Sequence, residues 1–92
     1  NMSPATVAKL KKLLGERLSA TYPIEAHHNS PDAVALRRHG VKPTGVGSYG
    51  RDKWVLSKRR MLTLVPKLLR ASDEESNSLG MGICTTLDIE VV

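Results

Sequence analysis

The segment Lys53-Trp54-Val55-Leu56-Ser57-Lys58-Arg59-Arg60-Met61-Leu62-Thr63-Leu64-Val65-Pro66 decides the fold, because it admits two secondary structures that lead to different architectures. Lys53 to Leu56 is short, aromatic and β-branched, and reads as a strand. Ser57 then suits a helix N-cap, and Met61, Leu64, Val65 and Leu68 recur at three and four as one apolar face. The alternative makes Ser57 to Arg60 a turn and Met61 to Val65 a second strand, closing a hairpin on Lys53 to Leu56. Pro66 costs about 3 kcal/mol inside a helix and disfavours helical geometry at Val65. The preferred reading of Ser57 to Val65 is a helix that breaks or kinks at Pro66.

Working back from this segment, Val41 to Asp52 holds one Pro and three Gly and reads as an exposed loop. Within it, Gly45 to Gly50 (GVGSYG) fits G-x-G-x-x-G letter for letter. A dinucleotide site needs a strand before those glycines and a helix opening on them, and Lys42-Pro43-Thr44 before and a strand after supply neither. The glycines read instead as a bend between two basic segments. Trp54, the single Trp in a chain with no Phe, reads as a core anchor rather than a platform for a nucleobase.

Further back, Ser30-Pro31-Asp32 gives a cap, a Pro at the first helical position and an acid in the first turn, while Arg37, Arg38 and His39 precede a Gly40 stop. A helix from Pro31 to His39 follows. Ser3-Pro4 repeats the start signal, and Val7, Leu10, Leu14 and Leu18 form one stripe opposite Lys9, Lys11, Lys12, Glu16 and Arg17. This predicts a helix from about Pro4 to Ala20, stopped by Tyr22-Pro23, with Ile24 to Asn29 as a loop. Toward the other end, Asp73 to Asn77 reads as a linker. Ile83 to Val92 (ICTTLDIEVV) alternates β-branched and polar residues and reads as a strand that pairs with Lys53 to Leu56 or with another chain.

The chain is 92 residues long, enough for one core only. The fold class expected is a small α+β domain with two or three helices, a short β-hairpin or wing and a C-terminal strand. Its basic, helix-rich body spans residues 1–76 and its acidic C-terminal strand residues 77–92. The one cysteine, Cys84, leaves no internal disulfide and fits a reducing cytoplasm. Adjacent His27 and His28 diverge on almost any backbone, so with His39 and Cys84 as the other soft ligands no metal site is expected, and no cofactor either. No apolar run approaches a membrane span and no leader peptide is apparent, so an intracellular protein starting naturally at Met2 is expected.

Charge carries the functional signal. All 14 Lys and Arg precede residue 73, where they face four acids for a balance of +10, whereas residues 73–92 hold five acids and no base. A body of that kind attracts polyanions by counterion release, and nucleic acid is the commonest such partner. The cations fall into three groups: Lys9, Lys11 and Lys12 on the first helix; Arg37, Arg38 and Lys42 around the end of the second; and Arg51, Lys53, Lys58, Arg59 and Arg60 flanking Trp54. No nucleophile elbow or paired-carboxylate setting is present, so no catalytic residues are assigned.

The run LRRHGVKP…VGSYGRDKWVLSKRRML, Leu36 to Leu62, resembles the layout of winged-helix DNA-binding domains of the excisionase and MerR-like kind. In that pattern a short helix ends at HGV, a loop with Pro and Gly follows, then a basic hairpin wing, then a Ser-capped helix. The resemblance implies that Arg37, Arg38 and Lys42 contact DNA from the helix and turn, with Arg51 and Lys53 on a wing over phosphates. The function expected is non-enzymatic binding of duplex DNA by a small regulatory or architectural protein, as of a phage or mobile element. The competing expectation is a protein-interaction or assembly module, or homo-oligomer, using the basic surface and Ile83 to Val92. RNA binding ranks third because aromatic residues for stacking are scarce.

Overall fold

The computed structural model describes residues 2–91. Four α-helices pack with a three-stranded antiparallel sheet: α1 (Pro4–Arg17), β1 (Thr21–Ala26), α2 (Pro31–Arg38), β2 (Gly45–Val46), β3 (Asp52–Ser57), α3 (Lys58–Arg70) and α4 (Glu74–Thr86). The strand order is β1-β3-β2, so the hairpin partner β3 is central and β1 is an edge.

The capping signals work as read. Ser3, Ser30 and Ser57 each accept a hydrogen bond from the backbone N–H three residues on, opening α1, α2 and α3. Gly40, at φ +73°, ends α2: its N–H bonds the Arg37 carbonyl at 3.0 Å and the Val41 N–H bonds that of Leu36 at 2.9 Å. That double closure needs a left-handed residue, which Gly supplies without strain. In α1, Leu10 and Leu14 are buried, as is Leu18 beyond its end.

Three expectations change. The first helix stops at Arg17, and the stretch from Tyr22 to Ala26 is edge strand rather than stop and loop. Pro23 is tolerated there because Ile24 and Tyr22, opposite Trp54 and Leu56, make the ladder bonds, so the missing N–H of Pro23 faces away from β3. Secondly, α3 runs through Pro66 to Arg70. The Pro66 ring is buried beside Met61, Leu64, Val65 and Leu68. Burial at roughly 1.5–3 kcal/mol per large apolar side chain outweighs the lost backbone bond.

Thirdly, the C-terminal strand is absent. Asp73 is an N-cap rather than linker, residues 74–86 are α4, and residues 87–91 join no strand; Val92 lies outside the described residues. Leu79, Ile83 and Cys84 face the core at helical spacing. Asp88, at φ +57°, ends the helix, with Ile89 N–H bonding the Cys84 carbonyl at 2.8 Å. Residue 77 therefore sits inside a helix that shares its core with the rest of the chain. At Gly80 a Cβ would come within 3.0–3.2 Å of Leu68 and Leu69, so any larger residue would require those side chains to give by a few tenths of an ångström where α4 packs on α3.

One apolar cluster runs from Leu10 to Ile89 with Trp54 fully buried within it. The Trp54 indole N–H donates to the Val41 carbonyl at 3.3 Å, tying β3 to the turn after α2. The loop from Val41 to Asp52 is mostly exposed but not irregular, since it contains β2 and a 3-10 turn at Ser48–Gly50. Among the described residues, no helix is long and apolar enough to cross a membrane.

Candidate nucleic-acid interface

The spine of the basic surface is α3. Its apolar residues turn inward, which leaves Arg59, Arg60, Thr63, Lys67 and Arg70 exposed at three-and-four spacing along one side. Thirteen residues at 1.5 Å each give a stripe about 20 Å long. At one end Arg60, Thr63 and Lys67 line a shallow groove with His39 and Val41, which brings the stripe beside the close of α2 and next to Lys42. At the other end Arg70 shares a depression with Lys11 of α1. The α3 cations thus border the close of α2, where His39 and Val41 are the chain neighbours of Arg38 and Lys42, and Arg70 adjoins Lys11 of the first-helix group.

The predicted residues are not equivalent. Arg37 and Lys42 are exposed and carry no salt bridge among the described residues. The same holds for Arg59 and Arg60, and for the half-buried Lys58. Arg38 is already committed: its guanidinium contacts Asp73 Oδ2 at 3.0 Å and Glu75 Oε1 at 2.7 Å. Next to it, His39 Nε2 lies 3.0 Å from the hydroxyl of buried Ser76. These contacts clamp the end of α2 to the start of α4, so part of the C-terminal acidity is spent on the basic body.

The clamp shifts its own ionisation. Glu75 holds the Arg38 guanidinium more firmly protonated than usual, with Asp73 adding to the effect. The hydrogen bond from Arg38 in turn lowers Glu75. Asp73 falls from its ordinary value of 3.8 to about 2, mainly through hydrogen bonds from the Ser76 side chain and backbone, with Arg38 contributing. A depressed carboxyl stabilises the fold above its unfolded value and loses that effect as pH falls through the folded one. Asp73→Asn retains a good N-cap. It is therefore expected to lower stability at neutral pH by an amount that disappears between about pH 4 and pH 2. Urea melts of both proteins across that range check this; a gap that persists at the acid end would mean ionised Asp73 contributes nothing.

The hairpin presents a different surface. Lys53 stands on the outward face of the sheet, directly across from Glu25. Arg51 donates through Nε to the Ser48 carbonyl at 3.3 Å and lies 5.8 Å from the Tyr49 ring centre, within cation–π range. Tyr49 is 92% exposed at φ +58°, and Val46 is 77% exposed, so the tip offers an aromatic, an aliphatic and a cation to solvent. The glycine pattern is occupied from within. Glu25 Oε1 accepts the Ser48 N–H at 2.8 Å, and a Cβ at Gly47 would collide with the same carboxylate. A carboxylate sits where a nucleotide phosphate would have to bind.

The remaining soft ligands are dispersed. His27 and His28 open the β1–α2 turn, His39 caps α2, and Cys84 is buried in α4, where desolvation raises its thiol pKa. Sequence reading missed Thr63, Lys67, Arg70 and Tyr49. The first three carry a signal, the polar side of the helical pattern that Met61, Leu64, Val65 and Leu68 begin. Tyr49 carries none, because its exposure depends on the hairpin geometry. No protein-family model, curated protein or solved structure matches the chain.

Proposed function

We propose that this chain is a non-enzymatic nucleic-acid-binding domain that engages duplex DNA, with the α3 stripe, Arg37 and Lys42 as its main phosphate contacts. The observation that carries the reading is the run of exposed cations on α3 that are free of ion pairs among the described residues. Lys58, Arg59 and Arg60 sharpen it. They crowd the first turn of a helix that has no acid there, at the end where the helix dipole is already positive. Such a placement costs stability in the free protein and suits an anion brought in from outside.

The winged-helix-like reading belongs with this proposal. A short helix, a hairpin and a Ser57-capped helix follow one another in the order that the resemblance implies, and the hairpin would serve as the wing through Arg51, Lys53 and Tyr49. One helix only separates β1 from the hairpin, so the weight of DNA contact shifts toward α3. A small regulatory or architectural role fits a domain that reads phosphates in this way. Assembly through a C-terminal strand loses its element, because Ile83 to Thr86 are helical and Ile89 is buried.

A mobility-shift titration against duplex DNA, single strands and RNA over a salt series tests the proposal. Duplex binding at low salt that weakens steeply as salt rises is the expected result. No binding to any of the three at low salt would overturn nucleic-acid recognition, and equal or tighter binding to RNA would overturn the duplex assignment.

A further inference from the structure

The free edge of β1 borders a groove whose chemistry is opposite to that of α3. The direction of its backbone groups follows from β3. The carbonyls of Arg51 and Lys53 accept from Gly47 and Thr44 at 2.7 Å each, and the Val55 N–H donates to Thr44 Oγ1 at 3.0 Å. These residues bond on the β2 side, so Trp54 and Leu56 bond toward β1, opposite Ile24 and Tyr22. Pro23 and Glu25 consequently point their backbone groups away from the sheet: a carbonyl from Pro23, an N–H and a carbonyl from Glu25.

This edge forms one wall of a groove of about 310 Å³, and α4 forms the other with Ser78, Gly82 and Thr86, one turn apart. Nothing lies within 4 Å of where a Cβ on Gly82 would stand, so the helix leaves a notch facing the strand. Glu25 and Asp32 are the charged residues lining the groove; neither makes a salt bridge among the described residues, and Glu25 Oε1 already accepts the Ser48 N–H of the hairpin, which leaves Asp32 as the carboxylate with no such commitment. In a chain whose first 72 residues hold only four acids, two of them line this groove.

We propose that this groove binds an extended, Lys- or Arg-bearing peptide segment of a partner protein, which adds to β1 as a short fourth strand. Unpaired edge groups supply the backbone bonds, the small residues of α4 leave room for side chains, and the acidic lining, Asp32 foremost because Glu25 is held toward the hairpin, selects a cationic segment while repelling nucleic acid. Pro23 limits the ladder to a few bonds in one register, which favours a short segment over open-ended edge pairing. The inference does not depend on the nucleic-acid reading, since the groove's charge is opposite to that of α3 and none of the proposed DNA contacts lines it.

The test is a titration of the isotope-labelled full chain, followed by NMR amide shifts, with an alternating Lys-Val heptapeptide and its Glu-Val counterpart. Saturable shifts at Glu25, Ser78, Gly82 and Thr86 with the Lys-Val peptide alone are expected. Gly82→Gln fills the notch, and because Gln is a better helix former than Gly it keeps the fold. It should weaken binding about tenfold, equivalent to ~1.4 kcal/mol. Asp32→Asn should weaken it less. Equal binding of both peptides, an unaffected Gly82→Gln variant, or no saturable shift at β1 and α4 would overturn the proposal. So would self-association that moves the same amides without peptide, because the occupant would then be a second copy of the chain.

Discussion

Replacing Trp54 by alanine is expected to remove about 4 kcal/mol of stability, the range for deleting a fully buried large aromatic side chain. A domain of this size has roughly 5–14 kcal/mol in total, so a large fraction of the molecules should unfold on mild warming. Two losses combine. The indole is completely buried in a core that has no Phe to share the work, and its N–H is the donor to the Val41 carbonyl. Trp54→Phe separates them: packing is largely kept, while the Val41 carbonyl loses its partner, at about 1–3 kcal/mol. The turn between α2 and β2 should loosen in that variant, and Lys42 with it. Urea melts followed by circular dichroism give both values. A loss below about 1 kcal/mol for the alanine variant would remove Trp54 from the centre of the core.

What the sequence made legible is what local chemistry determines. Ser3-Pro4, Ser30-Pro31 and Gly40 mark helix ends because caps act within one turn, and the stripe of Leu10, Leu14 and Leu18 needs only periodicity. Trp54 and the Ser57-capped helix were readable for the same reason. Reading failed where a distant partner decides. Pro23 looks like a breaker until β3 is known to lie on its other side, and Pro66 looks like one until its ring is seen to be core. From Ile83 onward a period of two and a spacing of four both select Ile83 and Leu87, and only packing against α2 and α3 chooses the helix. The ion pairs of Arg38 were equally hidden, because its partners, Asp73 and Glu75, lie more than thirty residues away. Of the α3 stripe, the basic start was legible and the continuation through Lys67 and Arg70 was not, because the helix was expected to break or kink at Pro66.

The sharpest consequence for the proposed function concerns that stripe. Replacing Arg59, Arg60 and Lys67 together by alanine should lower duplex DNA affinity by about a hundredfold at low salt and reduce the salt slope by roughly one for each phosphate no longer neutralised. All three side chains are exposed and outside every salt bridge among the described residues, so a general collapse of the fold is not expected. Stability should instead hold within about 0.5 kcal/mol, or rise, because two cations leave the positive end of the α3 dipole. Arg38→Ala should show the reverse pattern: the salt slope stays nearly unchanged, since that guanidinium is already neutralised by Asp73 and Glu75, while the α2–α4 clamp is broken and thermal stability falls. Mobility shifts across a salt series, paired with thermal melts of each variant, read out both quantities. If the triple variant binds within twofold of the parent protein, the α3 stripe is a solvated surface and the DNA contacts lie elsewhere. If instead Arg38→Ala lowers the salt slope by about one, its carboxylate partners must release it on binding, and the clamp becomes part of the recognition step.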